Sequence, residues 1–162
     1  MTQIGVLAGN PRPASRTLQA ALALREALAG ALGVPVDGPV VDAAALAPRV
    51  FSEPDAVKAA LEALGHAEVL VVATPTYKAA YTGLLKAVLD QAPSGWLGGK
   101  VVVPLQIAAS DRHALAVEVH LRPVLTELGA VVPQAFFLNE ASLPAQAADF
   151  ALDTRVLKGL VR

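Results

Sequence analysis

Short apolar runs alternate with segments of helical periodicity along the whole chain. Runs of about four to eight apolar residues are typical of buried strands, whereas leucine or valine at every third or fourth position is typical of helices. The pattern predicts five strands, at Gln3–Ala8, Val36–Asp42, Glu68–Ala73, Lys100–Ile107 and Val131–Leu138. It predicts helices at Leu18–Leu32, Ala56–Leu64, Lys78–Asp90, Arg112–Leu128 and Leu143–Leu160.

Strict alternation of strand and helix with short connections predicts an α/β fold, a parallel sheet with helices on both faces. A doubly wound five-stranded sheet of order 2-1-3-4-5 has its switch point between strands 1 and 3, and ligands bind beyond the carboxyl ends of those strands. Gly38 and Pro39 interrupt the second predicted strand, which indicates an edge strand. With 162 residues and no linker or repeat, residues 1–162 are expected to form one domain.

Composition narrows the function classes. Hydrophobic residues make up 54% of the chain, which favours doubly buried strands and a subunit interface. The net charge is −1 without a basic block, so neither nucleic acid nor an anionic membrane is an expected partner. There is no cysteine, no signal peptide and no apolar run of about 18 residues, so a cytoplasmic protein is expected. His113 and His120 lack a partner of metal-ligand type at helical spacing, so no metal site is predicted.

The segment after the first strand, Gly9–Thr17, has the features of an anion site. Ser15 is placed to cap the following helix, whose first amides are free and carry the positive end of the helix dipole. Arg16 and Thr17 would add a guanidinium and a hydroxyl, which suits one terminal phosphate. A capped helix with a solvated arginine remains the alternative. The dinucleotide G-x-G-x-x-G motif is absent here, and Gly99-Lys100 lacks the rest of a Walker loop.

The segment Thr74–Asp90 reads TPTYKAAYTGLLKAVLD and follows the third strand. Pro75, Thr76 and Tyr77 form a polar, proline-stiffened turn at the carboxyl end of that strand, where a parallel sheet binds ligands. This turn either forms a wall of a small-molecule site or is an ordinary loop with a surface tyrosine. Because the first and third strands are adjacent in the predicted order, this turn and Gly9–Thr17 can share one ligand.

With both segments identified, the sequence resembles the NADPH-dependent FMN reductases of the flavodoxin-like superfamily. Within them it most resembles the flavin reductase of alkanesulfonate assimilation. The family motif T-P-x-Y-K-A-[AS]-[YF]-x-G-x-L-K-x-x-L-D is met at every fixed position of Thr74–Asp90. The family's G-S-P-R…S-R-[ST] corresponds to Gly9–Thr17, with Asn10 in place of serine, and its L-A-V…L-[KR]-P-V-L-x-x-L fits Leu115–Leu128.

The resemblance implies a flavodoxin-like fold, bound FMN, and NADPH or NADH as hydride donor. In such enzymes hydride passes directly from nicotinamide to flavin, so no catalytic acid or base is expected from the protein. The implied phosphate site is Ser15–Thr17, and the implied ring site lies along Pro75–Tyr77. The full set of cofactor-binding residues expected from the resemblance is Gly9, Asn10, Arg12, Ser15, Arg16, Thr17, Pro75, Thr76, Tyr77, Lys78, Ala108, Ala109 and Ser110.

The resemblance also implies a homodimer or homotetramer, and it suggests a flavin-dependent monooxygenase as recipient of the reduced flavin. Lys86 and Asp90 match residues that the family associates with subunit contacts, although their spacing also suits a helix-surface pair. Trp96 is either an interface anchor or a lid over its own loop. The Arg112–Leu128 helix, which Pro123 must kink or interrupt, is the remaining interface candidate.

One departure from the family pattern affects the expected function. Where the family has T-G-G after the fourth strand, this chain has Ile107, Ala108 and Ala109. Glycine permits close approach or positive φ, so two β-carbons could weaken flavin binding unless both alanines have negative φ. A flavodoxin-like scaffold or binding protein with weak or lost flavin binding is therefore an alternative to the reductase. An FMN-containing quinone, azo-dye or metal-oxyanion reductase is a second one.

Overall fold

A computed structural model describes residues 1–161 of the chain, and its centre is one five-stranded sheet. All neighbouring strands pair in parallel, in the order β2-β1-β3-β4-β5. The strands are β1 (Ile4–Ala8), β2 (Val40–Asp42), β3 (Val69–Pro75), β4 (Val101–Ala108) and β5 (Phe136–Asn139). The predicted doubly wound order is therefore confirmed, and β2 is the short edge strand that the sequence predicted.

Helices cover both faces of the sheet, as the sequence predicted. Alternate residues of β1, β3 and β4 point into two separate apolar cores. One core is closed by the first and last helices, and the other by the three between them. The helices are α1 (Arg16–Leu32), α2 (Pro54–Gly65), α3 (Gly83–Leu89), α4 (Arg122–Glu127) and α5 (Thr154–Leu160). Within residues 1–161 no helix is long and apolar enough to cross a membrane.

Helix α1 begins at Arg16, two residues before the predicted Leu18, and ends at the predicted Leu32. The Ser15 side chain accepts a hydrogen bond from the Leu18 amide at 3.2 Å, which is the predicted N-cap. At the other end Gly33 adopts a left-handed conformation with φ 72° and its amide donates to the Ala29 carbonyl. Leu24 and Leu28 are fully buried against the sheet. The cap fixes the direction of the free amides in the first turn of α1, which lie at the end of the loop that follows β1.

Helix α3 begins five residues later than the predicted helix Lys78–Asp90. Lys78 and Ala79 have positive φ values of 52° and 69°, which end any helix that would include them. Thr82 then caps the shorter helix by accepting from the Leu85 amide at 3.1 Å. The residues at helical spacing were identified correctly, since Leu85, Val88 and Leu89 are buried. Only the start of the helix was wrong.

The single helix predicted at Arg112–Leu128 is wrong. A 3₁₀ turn at Asp111–His113 and a π-helical turn at Val117–Leu121 precede the short helix α4. Pro123 has no amide proton to donate to the carbonyl four residues earlier, so it is tolerated in the first turn of α4 but prevents one continuous α-helix from Arg112. Leu115 and Val119 are left 71% and 57% exposed on this irregular segment. The predicted interruption by Pro123 is confirmed.

Glu118 and Arg122 connect the π turn to α4 through two hydrogen bonds between their side chains. The hydrogen bond from Arg122 is the main reason why the pKa of Glu118 lies below its ordinary value. A carboxylate with a lowered folded-state pKa stabilises the protein above its unfolded pKa of about 4.3, and loses that effect as pH falls through the folded pKa. The pair is substantially solvent-exposed, so screening keeps its contribution small.

Glu118→Gln is therefore expected to lower the free energy of unfolding by about 0.3–0.5 kcal/mol at neutral pH. The difference from wild type should disappear once the pH is well below the folded pKa of Glu118. Urea denaturation at several pH values measures both effects. Glu26→Gln is the control, because Glu26 is exposed on α1 and has no ion-pair partner within residues 1–161. A pH-independent difference for Glu118→Gln would contradict the assignment.

The C-terminal third departs furthest from the sequence prediction. The strand predicted at Val131–Leu138 forms only as β5, because Pro133 has no amide for the ladder and Val131 makes only an isolated bridge to Val101. The helix predicted at Leu143–Leu160 is wrong before Thr154. Phe150 is buried there outside any α-helix and meets Phe136 edge to face at 5.3 Å. Phe150, Leu152 and Leu157 pack into the core from this segment, whereas Val156 is 43% exposed.

Candidate functional site

Two loops at the carboxyl edge of the sheet form the candidate site: the first loop (Gly9–Ser15, between β1 and α1) and the third loop (Thr76–Thr82, between β3 and α3). The first loop starts at Gly9, whose amide donates to the Ala73 carbonyl at 2.7 Å. A β-carbon at Gly9 would lie 2.6 Å from the β-carbon of Leu85. Glycine is therefore required here so that α3 can pack directly on the loop.

Side-chain hydrogen bonds fix the shape of the first loop. Asn10 accepts from the Arg12 amide at 2.9 Å and donates to the Thr17 hydroxyl at 3.1 Å. Ser15 and Thr17 are 8% and 3% exposed, so they lie beneath the loop surface. The Thr17 hydroxyl accepts from Asn10 and the Ser15 hydroxyl accepts from the Leu18 amide, so each retains its own proton as a donor. The arrangement holds the loop in one conformation around the start of α1.

The N-terminus of α1 presents donors to solvent at this loop. Arg16 and Thr17 are the first two helical residues, so their amides have no acceptor within the helix. The Arg16 side chain is 63% exposed and Arg12 is also exposed. Free amides, the positive end of a four-turn helix and two guanidinium groups together suit an anion.

The third loop is a tight hairpin. Tyr77 and Ala80 exchange two backbone hydrogen bonds, at 2.9 and 3.3 Å, around Lys78 and Ala79. Both central residues have positive φ, which is the geometry of a type I′ turn and costs a non-glycine residue roughly 1 kcal/mol or more. Tyr77 is left 46% exposed, so much of its phenol ring faces solvent. A strained turn that exposes an aromatic ring is a candidate contact for a planar ligand.

Threonine side chains join the two loops. The hydroxyl of Thr82, at the end of the third loop, donates to the Gly9 carbonyl at 2.5 Å. The Thr82 amide donates to the hydroxyl of Thr74 at 3.1 Å, and both threonines are completely buried. Since β1 and β3 are also adjacent, the loops form one connected surface at the switch point of the sheet.

Gln106 on β4 is a residue near the site that the sequence analysis missed. Its side chain is completely buried and its amide nitrogen donates to the Thr76 hydroxyl at 3.0 Å. Its carbonyl oxygen has no hydrogen-bond partner within the described residues. A buried acceptor without a partner is costly and calls for a ligand atom or a water. The available signal was a lone polar residue within the apolar run Val101–Ala108.

The residues after β4 complete the edge of the site. Neither Ala108 nor Ala109 has positive φ, so the backbone does not require glycine at either position. Ala108 is 2% exposed and Ala109 is exposed, so only the second of the two methyl groups faces solvent. The Ser110 hydroxyl accepts from the Arg112 amide at 3.3 Å and thereby begins the next turn. The two alanines are compatible with an open site.

Two carboxylates border the first loop. Glu140, just after β5, forms an ion pair with Arg16 at 3.4 Å. Asp42, at the end of β2, accepts hydrogen bonds from the amides of Ala14 at 3.0 Å and Ala44 at 3.2 Å. Within residues 1–161 no group of three or more acidic or histidine side chains is placed to hold a metal ion.

The interface candidates lie apart from these loops. Lys86 and Asp90 pair within α3 at 2.6 Å, and this hydrogen bond is the main reason why the pKa of Lys86 lies above its ordinary value. Trp96 is half-buried and donates from its indole nitrogen to the Leu61 carbonyl at 3.2 Å, which favours the lid interpretation. A groove of about 390 Å³ separates α3 from α4 and has Lys86 and Asp90 on its wall. The interface role of these residues stays a prediction.

Comparison with known proteins agrees with this geometry. The model of the NADPH-dependent FMN reductase family matches residues 2–142. FMN reductase (NADPH) of Escherichia coli (strain K12) is 50% identical over 80 residues, 49% of this chain and 41% of that protein. NADH-dependent FMN reductase SfnF of Pseudomonas fluorescens (strain Pf0-1) is 31% identical over 169 residues, 98% of this chain and 85% of that protein.

A solved structure gives the same result. The apo form of NADH:FMN oxidoreductase (EMOB) superimposes with a TM-score of 0.76 at 35% identity, covering 99% of this chain and 86% of that one. The flavodoxin-like fold and the resemblance to a family of oxidoreductases that use FMN and a nicotinamide are thereby confirmed. The aligned segment still spans less than half of the Escherichia coli relative. The chain belongs to the NADPH-dependent FMN reductase family.

Proposed function

We propose that this chain binds FMN at the two joined loops and reduces it with NADPH or NADH. The observation that carries the proposal is the hydrogen bond from Thr82 to the Gly9 carbonyl, which connects an anion-binding loop to a loop that exposes an aromatic ring. One ligand that carries a phosphate at one end and a planar ring at the other matches that arrangement. FMN has this form, and the family relationship favours it.

The donor set suits the phosphate of FMN. The amides of Arg16 and Thr17, the protons of the Ser15 and Thr17 hydroxyls and the Arg16 guanidinium would hold it. Asn10 and Gly9 would shape the loop without contacting the phosphate. Asn10 donates a hydrogen bond to Thr17, and Gly9 allows α3 to pack against the loop. Arg12 lies exposed in the first loop and adds positive charge.

The ring would lie along Pro75, Thr76 and Tyr77, with Lys78 at the tip of the hairpin. Residues Ala108, Ala109 and Ser110 would form the opposite edge. Gln106 holds Thr76 from below and offers an unpartnered carbonyl oxygen to a ring N–H or to a water that bridges to it. When bound, the flavin itself supplies the hydride-accepting chemistry, so the protein's work is to bind, orient and exclude water.

Two alternatives compete with the reductase. A scaffold with lost flavin binding rested on Ala108-Ala109, and the absence of positive φ at both residues removes its main physical support. An FMN-containing quinone, azo-dye or metal-oxyanion reductase would use the same loops and the same cofactor. The two reductase proposals differ only in the acceptor that meets the reduced flavin.

Flavin titration followed by anaerobic stopped-flow reduction tests the proposal. Quenching of FMN fluorescence by the protein is expected, followed by bleaching of flavin absorbance with NADPH, NADH or both. Riboflavin serves as the matched ligand without phosphate and should bind more weakly. Absence of FMN binding at saturating protein would refute the reductase and leave the scaffold. Oxidised quinone, azo-dye and metal-oxyanion acceptors, added after reduction, separate the two reductase proposals.

We further propose that the chain forms a homodimer or homotetramer, in the cytoplasm where nicotinamide coenzymes are available, and passes reduced flavin to a flavin-dependent monooxygenase. Three features support an interface across α3 and the segment around α4. They are the groove beside Lys86 and Asp90, the exposed side chain of Leu115 and the exposed side chain of Val119. Trp96 lies on the loop that follows α3 and is the next candidate contact.

Lys86→Glu is expected to shift the assembly toward smaller species, because it places two carboxylates four residues apart beside the proposed interface. Sedimentation velocity measures the mass distribution. Lys58→Glu is the control, since Lys58 forms the corresponding pair with Glu62 on α2, at 3.9 Å. Each change should cost only a few tenths of a kcal/mol within its own helix. Equal mass distributions for the two variants would exclude Lys86 from the interface.

A further inference from the structure

The ion pair between Arg16 and Glu140 connects the start of α1 to the segment that follows β5. Arg16 opens α1 beside the first loop, whereas Glu140 follows β5, 124 residues later in the chain. The nitrogen and oxygen atoms are 3.4 Å apart, and the side chains are 63% and 42% exposed. A pair this exposed contributes little to folding stability. The pair is more informative because one of its members, Arg16, is proposed to bind the phosphate of FMN.

Glu140 and a bound phosphate would need the same donor. Arg16 is the one side chain in the first turn of α1 with a positive charge, and the structure pairs it with a carboxylate. A phosphate dianion arriving at the free amides of Arg16 and Thr17 would compete with Glu140 for the guanidinium and would be repelled by its charge. Asp42 on the other side of the loop is engaged by the amides of Ala14 and Ala44, so it has no such contact with Arg16.

We propose that Glu140 is a specificity residue that competes with the phosphate of FMN for Arg16 and so lowers affinity for the phosphorylated flavin. This inference rests on the proposed function, because it requires FMN at the first loop. The competition speeds the release of FMN. Release is needed if the reduced flavin is passed to another protein, as proposed above. The competition has no effect on riboflavin, which has no phosphate to compete.

Glu140→Gln tests the competition, because the amide keeps the shape of the side chain and removes its charge. Dissociation constants for FMN and riboflavin are measured by fluorescence quenching at low and at high salt. FMN is expected to bind about three- to tenfold more tightly to the variant at low salt, with a smaller gain at high salt. Riboflavin affinity should stay within about twofold of wild type. Glu53→Gln is the matched control, because Glu53 pairs with Arg49 at the same 3.4 Å distance.

A double-mutant cycle separates competition for Arg16 from simple repulsion. In an Arg16→Ala background the gain from Glu140→Gln should fall below about twofold, because the shared donor is gone. A full gain in that background would overturn the inference, and so would equal tightening of riboflavin. Unchanged FMN affinity in Glu140→Gln would also overturn the inference. So would weaker FMN binding, which would show instead that Glu140 holds Arg16 in position for the phosphate.

The wild-type titration keeps the two proposals distinguishable. Wild-type protein that binds FMN while Glu140→Gln leaves the affinity unchanged retains the proposed function and loses only this inference. Wild-type protein that binds neither flavin loses both.

Discussion

Thr82→Val is expected to lower the free energy of unfolding by about 2–4 kcal/mol. The hydroxyl of Thr82 donates to the Gly9 carbonyl and accepts from the Leu85 amide, and all of these groups are shielded from water. Valine has nearly the same volume but no hydroxyl, so the buried Gly9 carbonyl loses its donor and α3 loses its N-cap. Guanidinium denaturation measures the stability loss.

Thr126→Val is the control for Thr82→Val, because Thr126 is exposed on α4 and should change stability by less than about 0.5 kcal/mol. FMN affinity should fall together with stability in Thr82→Val, since the first loop loses its connection to the third. A stable Thr82→Val protein with normal flavin affinity would show that the packing of Leu85 on Gly9 suffices to hold the loops together.

Arg16→Ala is expected to weaken FMN binding by roughly 1.5–3 kcal/mol, the range for a hydrogen bond to a charged group. The lower end is expected, because wild-type Arg16 must first leave Glu140. Fluorescence titration measures the change, and riboflavin affinity should be unaltered. Folding should be unaffected, since the Arg16 side chain is 63% exposed.

Arg49→Ala is the matched control for Arg16→Ala, because Arg49 forms an exposed ion pair of the same length with Glu53. It should leave the affinities for both flavins unchanged. An equal loss of FMN affinity in both variants would reduce the effect of Arg16 to general charge. An unaltered FMN affinity in Arg16→Ala alone would remove this residue from the phosphate site.

Local signals predicted the parts of the fold that local chemistry determines. Ser15 was predicted to cap α1 because a serine hydroxyl can accept from the first helical amides, and it does so. The apolar run of β3 required burial on both faces, which in turn required helices on both faces. The site edge followed, because parallel strands that are adjacent at a switch point bring their loops together.

The parts that sequence reasoning missed depend on contacts between distant residues. No propensity predicts positive φ at Lys78 and Ala79, because the exchange of hydrogen bonds between Tyr77 and Ala80 imposes it. Gly9 was interpreted as part of a ligand loop, whereas its lack of a side chain first serves the packing of Leu85. Such requirements arise only once α3 is placed on the sheet.

The late segments failed for a related reason. Periodic apolar residues at Leu143–Leu160 predicted a helix, but Phe150 lies outside any α-helix and packs against Phe136 of β5. Gln106 was missed within the apolar run of β4, because only the structure shows that its side chain donates to the Thr76 hydroxyl. In both cases tertiary packing overrides the local pattern.

The bond between Thr82 and Gly9 also has a consequence for synthesis on the ribosome. A nascent chain that has not yet extended past Thr82 has β1 and α1, but it lacks the hydroxyl that holds the Gly9 carbonyl. The first loop, the proposed phosphate site, is therefore expected to acquire its final geometry only after α3 has emerged. If the proposed site is the right one, ligand binding becomes possible only late in biogenesis, although six of its thirteen predicted residues are translated before Leu18.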